Sequence, residues 1–221
     1  VYSLLFGMPM TILFALLLNE LRSRTFKRIV QTVTYLPYFI STVIMVSILQ
    51  MLLSYPRGVV NSALSAIGLT EINFFQEAGW FRTLYIGSGI WQGLGWNSIL
   101  YLAALTSINP DLYEAAYMDG ANRLQQMWHI SLPGMMNTIV TMLILSLGGI
   151  FSVGYEKVYL MYNPVTMDQA DVISTYVYRT GLESMRYSYA SAIGLFNSVI
   201  NFAFVFIANQ VCRKLTDSSL W

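Results

Sequence analysis

The feature of this sequence that most restricts its fold is a set of five apolar runs without a single Asp, Glu, Lys or Arg. They cover residues 2–19, 30–54, 83–106, 134–154 and 189–211. A membrane-spanning helix needs about 20 apolar residues, so each run is long enough to cross a bilayer. Backbone inside lipid must satisfy its own hydrogen bonds, and these runs lack the alternation of barrel strands. The sequence therefore predicts an all-α, polytopic transmembrane helical bundle.

The composition agrees with a membrane protein. Charged residues make up 10% of the 221 residues and the mean hydropathy is +0.55, whereas a soluble domain carries about 25% charged residues. The net charge of +1 predicts no nucleic-acid partner. A single cysteine, Cys212, and a single histidine, His129, predict neither a disulfide framework nor a metal site.

The basic residues predict the orientation of the chain in the membrane. Four of them, Arg22, Arg24, Lys27 and Arg28, lie in the short loop after the first run, and such loops stay on the cytoplasmic side. This orientation makes segment 107–133 and the C-terminus cytoplasmic, and it makes 55–82 and 155–188 outer loops. Seven basic residues then lie inside and five lie outside.

Four glycines, Gly87, Gly89, Gly93 and Gly95, lie in the third run, with Gly89 and Gly93 at GxxxG spacing. Small residues at this spacing favour close helix packing over a phosphate-binding loop. The sequence contains no GxxxxGK[ST] motif, so it predicts no nucleotide bound by a P-loop.

Three classes of membrane protein compete as explanations. An enzyme needs acids, bases or metal ligands at the bilayer, but the only histidine and every carboxylate lie outside the apolar runs. A gradient-driven carrier usually places an ionisable residue within the membrane, and these runs have none. A transport subunit driven by another protein needs neither. The gradient-driven carrier of a polar solute remains the alternative.

The cytoplasmic insert 107–133 is the segment on which a driving partner would act. Asn109 and Pro110 are typical of a helix start, and Gly120 is typical of a helix end, so we predict a short helix from Pro110 to about Asp119. Asn122 predicts the cap of a second short helix, which Pro133 would separate from the next span.

The spacing within this insert follows the pattern EAA-x3-G-x9-I-x-L-P. Seven residues match it: Glu114, Ala115, Ala116, Gly120, Ile130, Leu132 and Pro133. A chance match has a probability on the order of 10⁻⁸ per start position at average residue usage. The insert resembles the EAA motif of binding-protein-dependent ABC importer permeases.

The resemblance covers most of the chain. The segments "LPYFIS" and "WQGLGWNSILYLAALTSINPDLYEAAYMDGA" are similar to carbohydrate permeases of the maltose MalF type, in the branch that imports oligosaccharides released from polysaccharides. It implies a single permease domain over 1–221, with the type I importer fold, in a bacterial cytoplasmic membrane. Such permeases have at least six spans, so we expect a further span before Val1.

The resemblance also implies partners and residue roles. The insert would seat in a cleft of an ATPase subunit, with Glu114 facing basic residues beside the nucleotide and Ala115 against the cleft wall. Gly120 would make the turn that aims this helix. The full implied set of coupling residues is Glu114, Ala115, Ala116, Asp119, Gly120, Ile130, Leu132 and Pro133. The implied partners are a second permease, two ATPases that hold ATP and Mg²⁺, an extracytoplasmic sugar-binding protein and membrane lipid. This chain itself would hold no cofactor and no catalytic residue.

Two further sets of residues are candidates for sugar contact and for docking. Aromatic faces and amides hold sugars, and those at membrane depth are Trp91, Trp96, Asn97, Tyr101, Asn197 and Asn201. Packing between helices explains each of them equally simply. The aromatic segment 154–187 is the expected docking site of the binding protein, through Tyr155, Tyr159 and Tyr162.

Overall fold

The computed structural model describes residues 1–151 and 153–216. Ser152 of the fourth predicted run and residues 217–221 of the predicted domain lie outside the described residues. Helices and turns make up the described chain, with no strand in these two ranges. The prediction of an all-α protein is confirmed.

The helices follow one another with short connections. The first six are α1 (Tyr2–Asn19), α2 (Arg24–Tyr35), α3 (Thr42–Leu52), α4 (Val59–Ala66), α5 (Ala78–Thr106) and α6 (Pro110–Met118). The next seven are α7 (Arg123–Gln126), α8 (Leu132–Gly134), α9 (Met136–Gly148), α10 (Tyr155–Met161), α11 (Met167–Ala170), α12 (Ile173–Tyr178) and α13 (Tyr187–Thr216). A 3₁₀ turn covers Leu36–Phe39, and π turns cover Met127–Ser131 and Arg179–Glu183.

The described chain groups into two compact units. Unit 1 contains Val1–Tyr38, Ile90–Gly149 and the chain from Asn201 onward, and unit 2 contains Phe39–Gly89 and Ile150–Ile200. Helices α5 and α13 each contribute residues to both units. The single domain predicted over 1–221 stays a prediction.

The core of unit 1 holds the cytoplasmic insert against the first span. Its buried residues are Ala15, Leu16, Leu18, Tyr101, Leu102, Leu105 and Met135, and Ile108, Met127 and Leu132 from the insert pack against them. Burying such apolar side chains stabilises a fold by about 1.5–3 kcal/mol each. This buried cluster joins α1, α5 and the insert.

Unit 2 has its own core, built from the outer segments. Met45, Val46, Phe81, Val158, Met161 and Ala170 are its buried residues. The loop between α3 and α5 is fixed by Asn61, which is fully buried. Its amide nitrogen donates to the carbonyls of Ser54 and Ile72, and its oxygen accepts from the Ile72 N–H.

Only some of the predicted spans correspond to one long apolar helix. Within the described residues, α1 and α13 through Lys214 are long and apolar enough to cross a membrane, and two broken helix pairs raise the total to as many as four spans. Helix α5 has 29 residues, but polar side chains such as Gln92 and Asn97 keep it outside this group. Only 11% of the α13 window is buried, so its apolar surface is available to lipid or to a partner chain.

The second predicted run, 30–54, is not one continuous helix. Helix α2 begins earlier, at Arg24, and ends at Tyr35, and α3 starts only at Thr42. Pro37 supplies no N–H to a continuing helix, and the Ser41 Oγ starts a new one by accepting the Ile44 N–H at 3.4 Å. The predicted span is therefore interrupted at Pro37.

The fourth predicted run, 134–154, is also interrupted and shorter than predicted. Residues 123–134 and 136–148 form two helical stretches that bend by 59°. Met135, fully buried in the core of unit 1, occupies the break. Helix α9 ends at Gly148, so residues 149–151, 153 and 154 are not helical.

One glycine of the third run makes the close helix contact. A Cβ on Gly95 would overlap the Thr34 carbonyl and the Tyr35 ring of α2, whereas a Cβ on Gly87 would meet no atom within 4 Å. On Gly89 it would meet only the Lys157 Nζ at 3.3 Å, and on Gly93 the Asn97 side chain of the same helix. The GxxxG pair therefore does not carry the packing within the described chain; Gly95 does.

We expect Gly95→Ala to lower the melting temperature of the purified protein. The added methyl meets backbone, which cannot rotate away, and overpacking of this kind costs about 1–3 kcal/mol. Gly87→Ala is the matched control and should leave the melting temperature unchanged or slightly raised, because alanine favours helix. Equal melting temperatures for the two variants would contradict this assignment.

Candidate functional site

Helix α6 of the insert begins with the predicted cap. The Asn109 Oδ1 accepts the Asp111 N–H at 3.1 Å, and Pro110 occupies the first turn, where its missing N–H costs nothing. The Asp111 carboxylate lies in the same turn, where the helix dipole favours negative charge. The predicted helix start is confirmed.

The end of α6 depends on Gly120. Its φ is +81°, in the left-handed region that side chains disfavour. The Gly120 N–H donates to the Tyr117 carbonyl at 3.0 Å and the Ala121 N–H to the Ala116 carbonyl at 2.9 Å. These two bonds form a Schellman motif, which closes the last turn of the helix.

The second half of the insert begins with a capping box and continues into a π turn. Asn122 and Gln125 exchange side-chain and backbone hydrogen bonds of 2.9 and 2.7 Å at the start of α7. Farther on, the Leu132 N–H donates to the Met127 carbonyl, five residues back. Pro133 lacks an N–H and its ring would clash with the His129 carbonyl, so the wider turn relieves that clash.

One contact folds the insert on itself, and two contacts anchor it within unit 1. The hydroxyls of Tyr113, on α6, and the buried Ser131 lie 2.9 Å apart. The Arg123 Nη1 donates to the Glu20 carboxylate at 2.9 Å, which ties the start of α7 to the end of α1. Leu132 packs into the core of unit 1. The insert is therefore an ordered helical segment that is held against the rest of unit 1.

The motif residues divide into an exposed part and a packed part. Glu114, Ala115, Asp119, Gly120 and Pro133 are exposed, whereas Ala116, Ile130 and Leu132 are half-buried. The folding of the insert brings Ala116, Asp119, Gly120 and Ile130 together on the wall of one cleft of about 300 Å³, together with His129. The exposed side of α6 thus carries the carboxylate of Glu114 and the small side chain of Ala115.

The candidate sugar residues of α5 do not share one face. Trp91 and Trp96 are both exposed, but at about 100° per residue they lie about 140° apart around the helix. The Trp96 ring stacks on Tyr38, with centroids 4.7 Å apart and an interplanar angle of 8°. Asn97 is exposed, whereas Tyr101 is only 4% exposed and packs in the core of unit 1.

The two candidate asparagines lie on α13, and the side-chain oxygen of one of them has no hydrogen-bond partner among the described residues. Asn197 and Asn201 are four residues apart and share a helix face. The Asn197 Oδ1 is buried and accepts no hydrogen bond from the described residues. A buried polar atom of this kind is costly unless a ligand or another chain supplies a donor.

The three candidate docking tyrosines form one cluster in unit 2, which a fourth tyrosine completes. Tyr155 stacks on Tyr178 with centroids 5.0 Å apart, and Tyr159 meets the edges of both Tyr178 and Tyr162 at 5.2 and 5.6 Å. Tyr155 and Tyr159 remain well exposed. Tyr178 was missed in the sequence because α12 brings it beside α10 only in the folded chain.

An ion pair holds the helix that carries Tyr178. The Arg179 guanidinium contacts both carboxylate oxygens of Asp171, at 3.1 and 2.6 Å. The hydrogen bonds from Arg179 hold the pKa of the Asp171 carboxyl below its usual range. Glu183 nearby raises the pKa of the Tyr159 hydroxyl, which stays neutral. The cluster is therefore a fixed aromatic surface bordered by charge.

Lys157 of α10 is a half-buried cation that packs against Tyr85. Its Nζ donates to the Tyr85 carbonyl at 2.8 Å and lies 4.6 Å from the centroid of the Tyr85 ring. Burial lowers the pKa of this ammonium to about 8. In the sequence it is one basic residue among several in an outer loop, and nothing marks it as buried.

Comparison with known proteins identifies the family of this chain. Residues 7–217 match the model of the binding-protein-dependent transport system inner membrane component. The chain belongs to this family. The permease is therefore a multi-pass transport component rather than an enzyme, and the EAA motif predicted this correctly.

Individual relatives agree with the family. The permease is 44% identical over 213 residues to the polygalacturonan/rhamnogalacturonan transport system permease protein YteP of Bacillus subtilis, covering 96% of this chain and 66% of that one. It is 42% identical over 219 residues to Protein LplB of the same organism, covering 99% and 69%. The chain thus spans about two thirds of the length of these relatives.

A solved structure has the same fold. A chain of the bacterial alginate ABC transporter, in complex with an alginate pentasaccharide-bound periplasmic protein, matches with a TM-score of 0.96 and 48% identity. The match covers 99% of this chain and 76% of that one. The prediction of an ABC importer permease fold is confirmed.

Proposed function

We propose that this permease carries an oligosaccharide that contains uronic acids, delivered by a sugar-binding protein outside the membrane. The observation that supports this class is the agreement of two independent relatives. One is named for polygalacturonan and rhamnogalacturonan, and the other imports the acidic polysaccharide alginate. Both substrates contain uronic acids, whose carboxylates are charged at neutral pH.

The permease would act as one half of a translocation pathway. A second permease would form the other half, and two ATPase subunits, which hold ATP and Mg²⁺, would bind the two inserts from the cytoplasm. The exposed carboxylate of Glu114 and the closed helix end at Gly120 suit α6 to seat in a partner's cleft. Ala115 leaves room for the partner's backbone at the contact.

The chemistry available to the sugar supports a polar, anionic ligand. Trp96 and Tyr38 offer a stacked aromatic surface, and the Asn197 Oδ1 offers an acceptor for a sugar hydroxyl. Trp91, Asn97 and Asn201 remain candidates for further contacts. Separately, within unit 2, Lys157 is a cation with two ammonium donors beyond the one used on Tyr85.

The tyrosine cluster of Tyr155, Tyr159, Tyr162 and Tyr178 is the proposed docking surface for the binding protein. Exposed tyrosines that are held rigid provide large contact area at low entropic cost. Stacking on Tyr178 and the pairing of Arg179 with Asp171 provide that rigidity here.

We expect Glu114→Lys to abolish sugar uptake by proteoliposomes that hold the whole complex, while ATP hydrolysis continues without stimulation by the binding protein. The substitution sets a cation against the basic residues of the ATPase cleft. Gly120→Pro should act alike, because proline cannot adopt a φ of +81°.

Glu114→Gln separates charge from shape and should retain partial uptake. Gly120→Asn is the control for backbone geometry, since asparagine tolerates the left-handed region, and it should retain most of the uptake. Normal uptake by both Glu114→Lys and Gly120→Pro would refute the role of α6 in coupling.

We expect the binding protein loaded with a galacturonate or alginate oligosaccharide to stimulate ATP hydrolysis, and a neutral maltooligosaccharide of equal length to give no stimulation. Trp96→Ala should lower uptake of the uronate about tenfold, the loss of about 1.4 kcal/mol of binding. Phe202→Ala, which removes an exposed aromatic of α13, should leave uptake unchanged. Stimulation by the neutral sugar alone would contradict the substrate class.

We expect a photoreactive phenylalanine analogue in place of Tyr159 to crosslink to the sugar-loaded binding protein. The matched control is Tyr117, which is 74% exposed on α6 and should crosslink to the ATPase instead. Crosslinks to the binding protein from position 117, or none from position 159, would overturn the proposed docking surface.

A further inference from the structure

Lys157, on α10 in unit 2, is a half-buried ammonium without an acidic partner among the described residues. Its Nζ donates to the Tyr85 carbonyl at 2.8 Å and lies 4.6 Å from the centroid of the Tyr85 ring. Neither of the two ion pairs found in residues 1–151 and 153–216 includes it. Burial lowers the pKa of this ammonium to about 8, so it remains mostly charged at neutral pH. A buried charge is costly unless an opposite charge compensates for it.

The other basic residues of the two outer loops, 55–82 and 155–188, are in different environments. Arg179 is also half-buried, but the Asp171 carboxylate pairs with it. The remaining three are exposed to solvent: Arg57, Arg82 and Arg186. Of these five cations, Lys157 is therefore the one that is withdrawn from solvent and has no described carboxylate within ion-pair distance.

The backbone of α5 leaves room beside this ammonium. Tyr85 and Gly89 are four residues apart and therefore share a face of α5. A Cβ on Gly89 would meet the Lys157 Nζ at 3.3 Å, and it would meet no other described atom outside its own stretch of helix within 4 Å. Gly89 thus keeps open a space that a larger side chain would fill, and the ammonium borders that space.

The ammonium lies on the other side of α10 from the proposed docking surface. Tyr155 and Tyr159 are each two positions from Lys157 on this helix. At about 100° per residue, both tyrosines are about 160° around the helix from Lys157. A binding protein seated on the tyrosines therefore contacts the opposite side of α10, and the space beside Gly89 is left for a small ligand.

We propose that Lys157 binds a carboxylate of the transported uronic-acid oligosaccharide and thereby selects an anionic sugar. This inference rests on the substrate class proposed above. In the predicted orientation, Tyr85 and Gly89 lie in the outer part of the third apolar run, on the side from which the sugar is delivered.

The chemistry of the site favours an anion over a neutral sugar. The two ammonium protons that are not donated to Tyr85 form charge-assisted hydrogen bonds with a carboxylate. A neutral sugar in the same space removes water from the ammonium without compensating its charge. The site therefore discriminates by leaving a charge unpaired when the wrong ligand enters.

The test removes the ammonium and then restores it chemically. Lys157→Cys is prepared after replacement of Cys212 and the other cysteines of the complex, and the complete complex is reconstituted in proteoliposomes with the binding protein. Uptake of radiolabelled trigalacturonate and of an alginate trisaccharide should fall about tenfold, because a charge-assisted hydrogen bond is lost. Aminoethyl methanethiosulfonate, which attaches an ammonium to the new thiol, should restore most of the uptake. Methyl methanethiosulfonate, which attaches a neutral group, should restore none.

Three controls separate sugar binding from other roles of Lys157. Arg57→Gln, which removes an exposed cation of the other outer loop, should leave uptake unchanged. The sugar-loaded binding protein should still stimulate ATP hydrolysis by Lys157→Cys, and loss of that stimulation would instead assign Lys157 to docking. The melting temperature of Lys157→Cys should match that of the cysteine-free parent. A lower melting temperature that aminoethyl methanethiosulfonate reverses would assign Lys157 only to holding α10 against Tyr85.

Failure of this inference is distinguishable from failure of the proposed function. A wild-type complex that imports a neutral oligosaccharide but neither uronate would refute the substrate class, and the role of Lys157 with it. Import of the uronates by the wild-type complex, combined with unchanged uptake in Lys157→Cys or equal recovery with both reagents, would overturn the role of Lys157 alone.

Discussion

Hydrocarbon excludes charge, and this constraint organises the whole molecule. A charged side chain at the centre of a bilayer costs at least about 2.5 kcal/mol, and the five apolar runs contain none. Every Asp, Glu, Lys and Arg is therefore confined to segments outside the runs, and so is any ion pair with a protein that supplies energy. The insert 107–133 is a segment where an exposed carboxylate, a capped helix and packing against α1 and α5 occur together.

The parts of the insert are closed and anchored separately, which suits the coupling role proposed for it. Asn109 and Gly120 satisfy the backbone at the two ends of α6 without help from other segments. The Tyr113–Ser131 hydroxyl contact then ties α6 to the π turn, and Met127 and Leu132 join the core that contains α1 and α5. Displacement of α6 must either move this core or break those contacts. The exposed pair of Glu20 and Arg123 adds little energy, because surface ion pairs contribute about 0–1 kcal/mol, but it restricts orientation.

The features predicted correctly from the sequence are those set by neighbouring residues. Asn109, Pro110, Gly120 and Asn122 each act on the backbone within a few positions, so the two insert helices were predictable. The contacts of Gly95 with Thr34, and of Tyr178 with Tyr155, join residues that are far apart in sequence, and no local signal marks them. The burial of Tyr101 and of Lys157 likewise depends on which helix lies opposite. The predicted substrate residues of α5 were therefore dispersed, whereas four of the eight predicted coupling residues line one cleft.

The interruption of the second run shows why hydropathy alone misjudges such a chain. A window average counts Phe26, Ile29 and Val33 as apolar wherever they point, and it merges them with the buried apolar residues of α3. The folded chain separates the two: Met45 and Val46 of α3 are buried in the core of unit 2, while Phe26, Ile29 and Val33 of α2 are more than half exposed. An apolar residue that the protein leaves uncovered requires a different solvent or a partner.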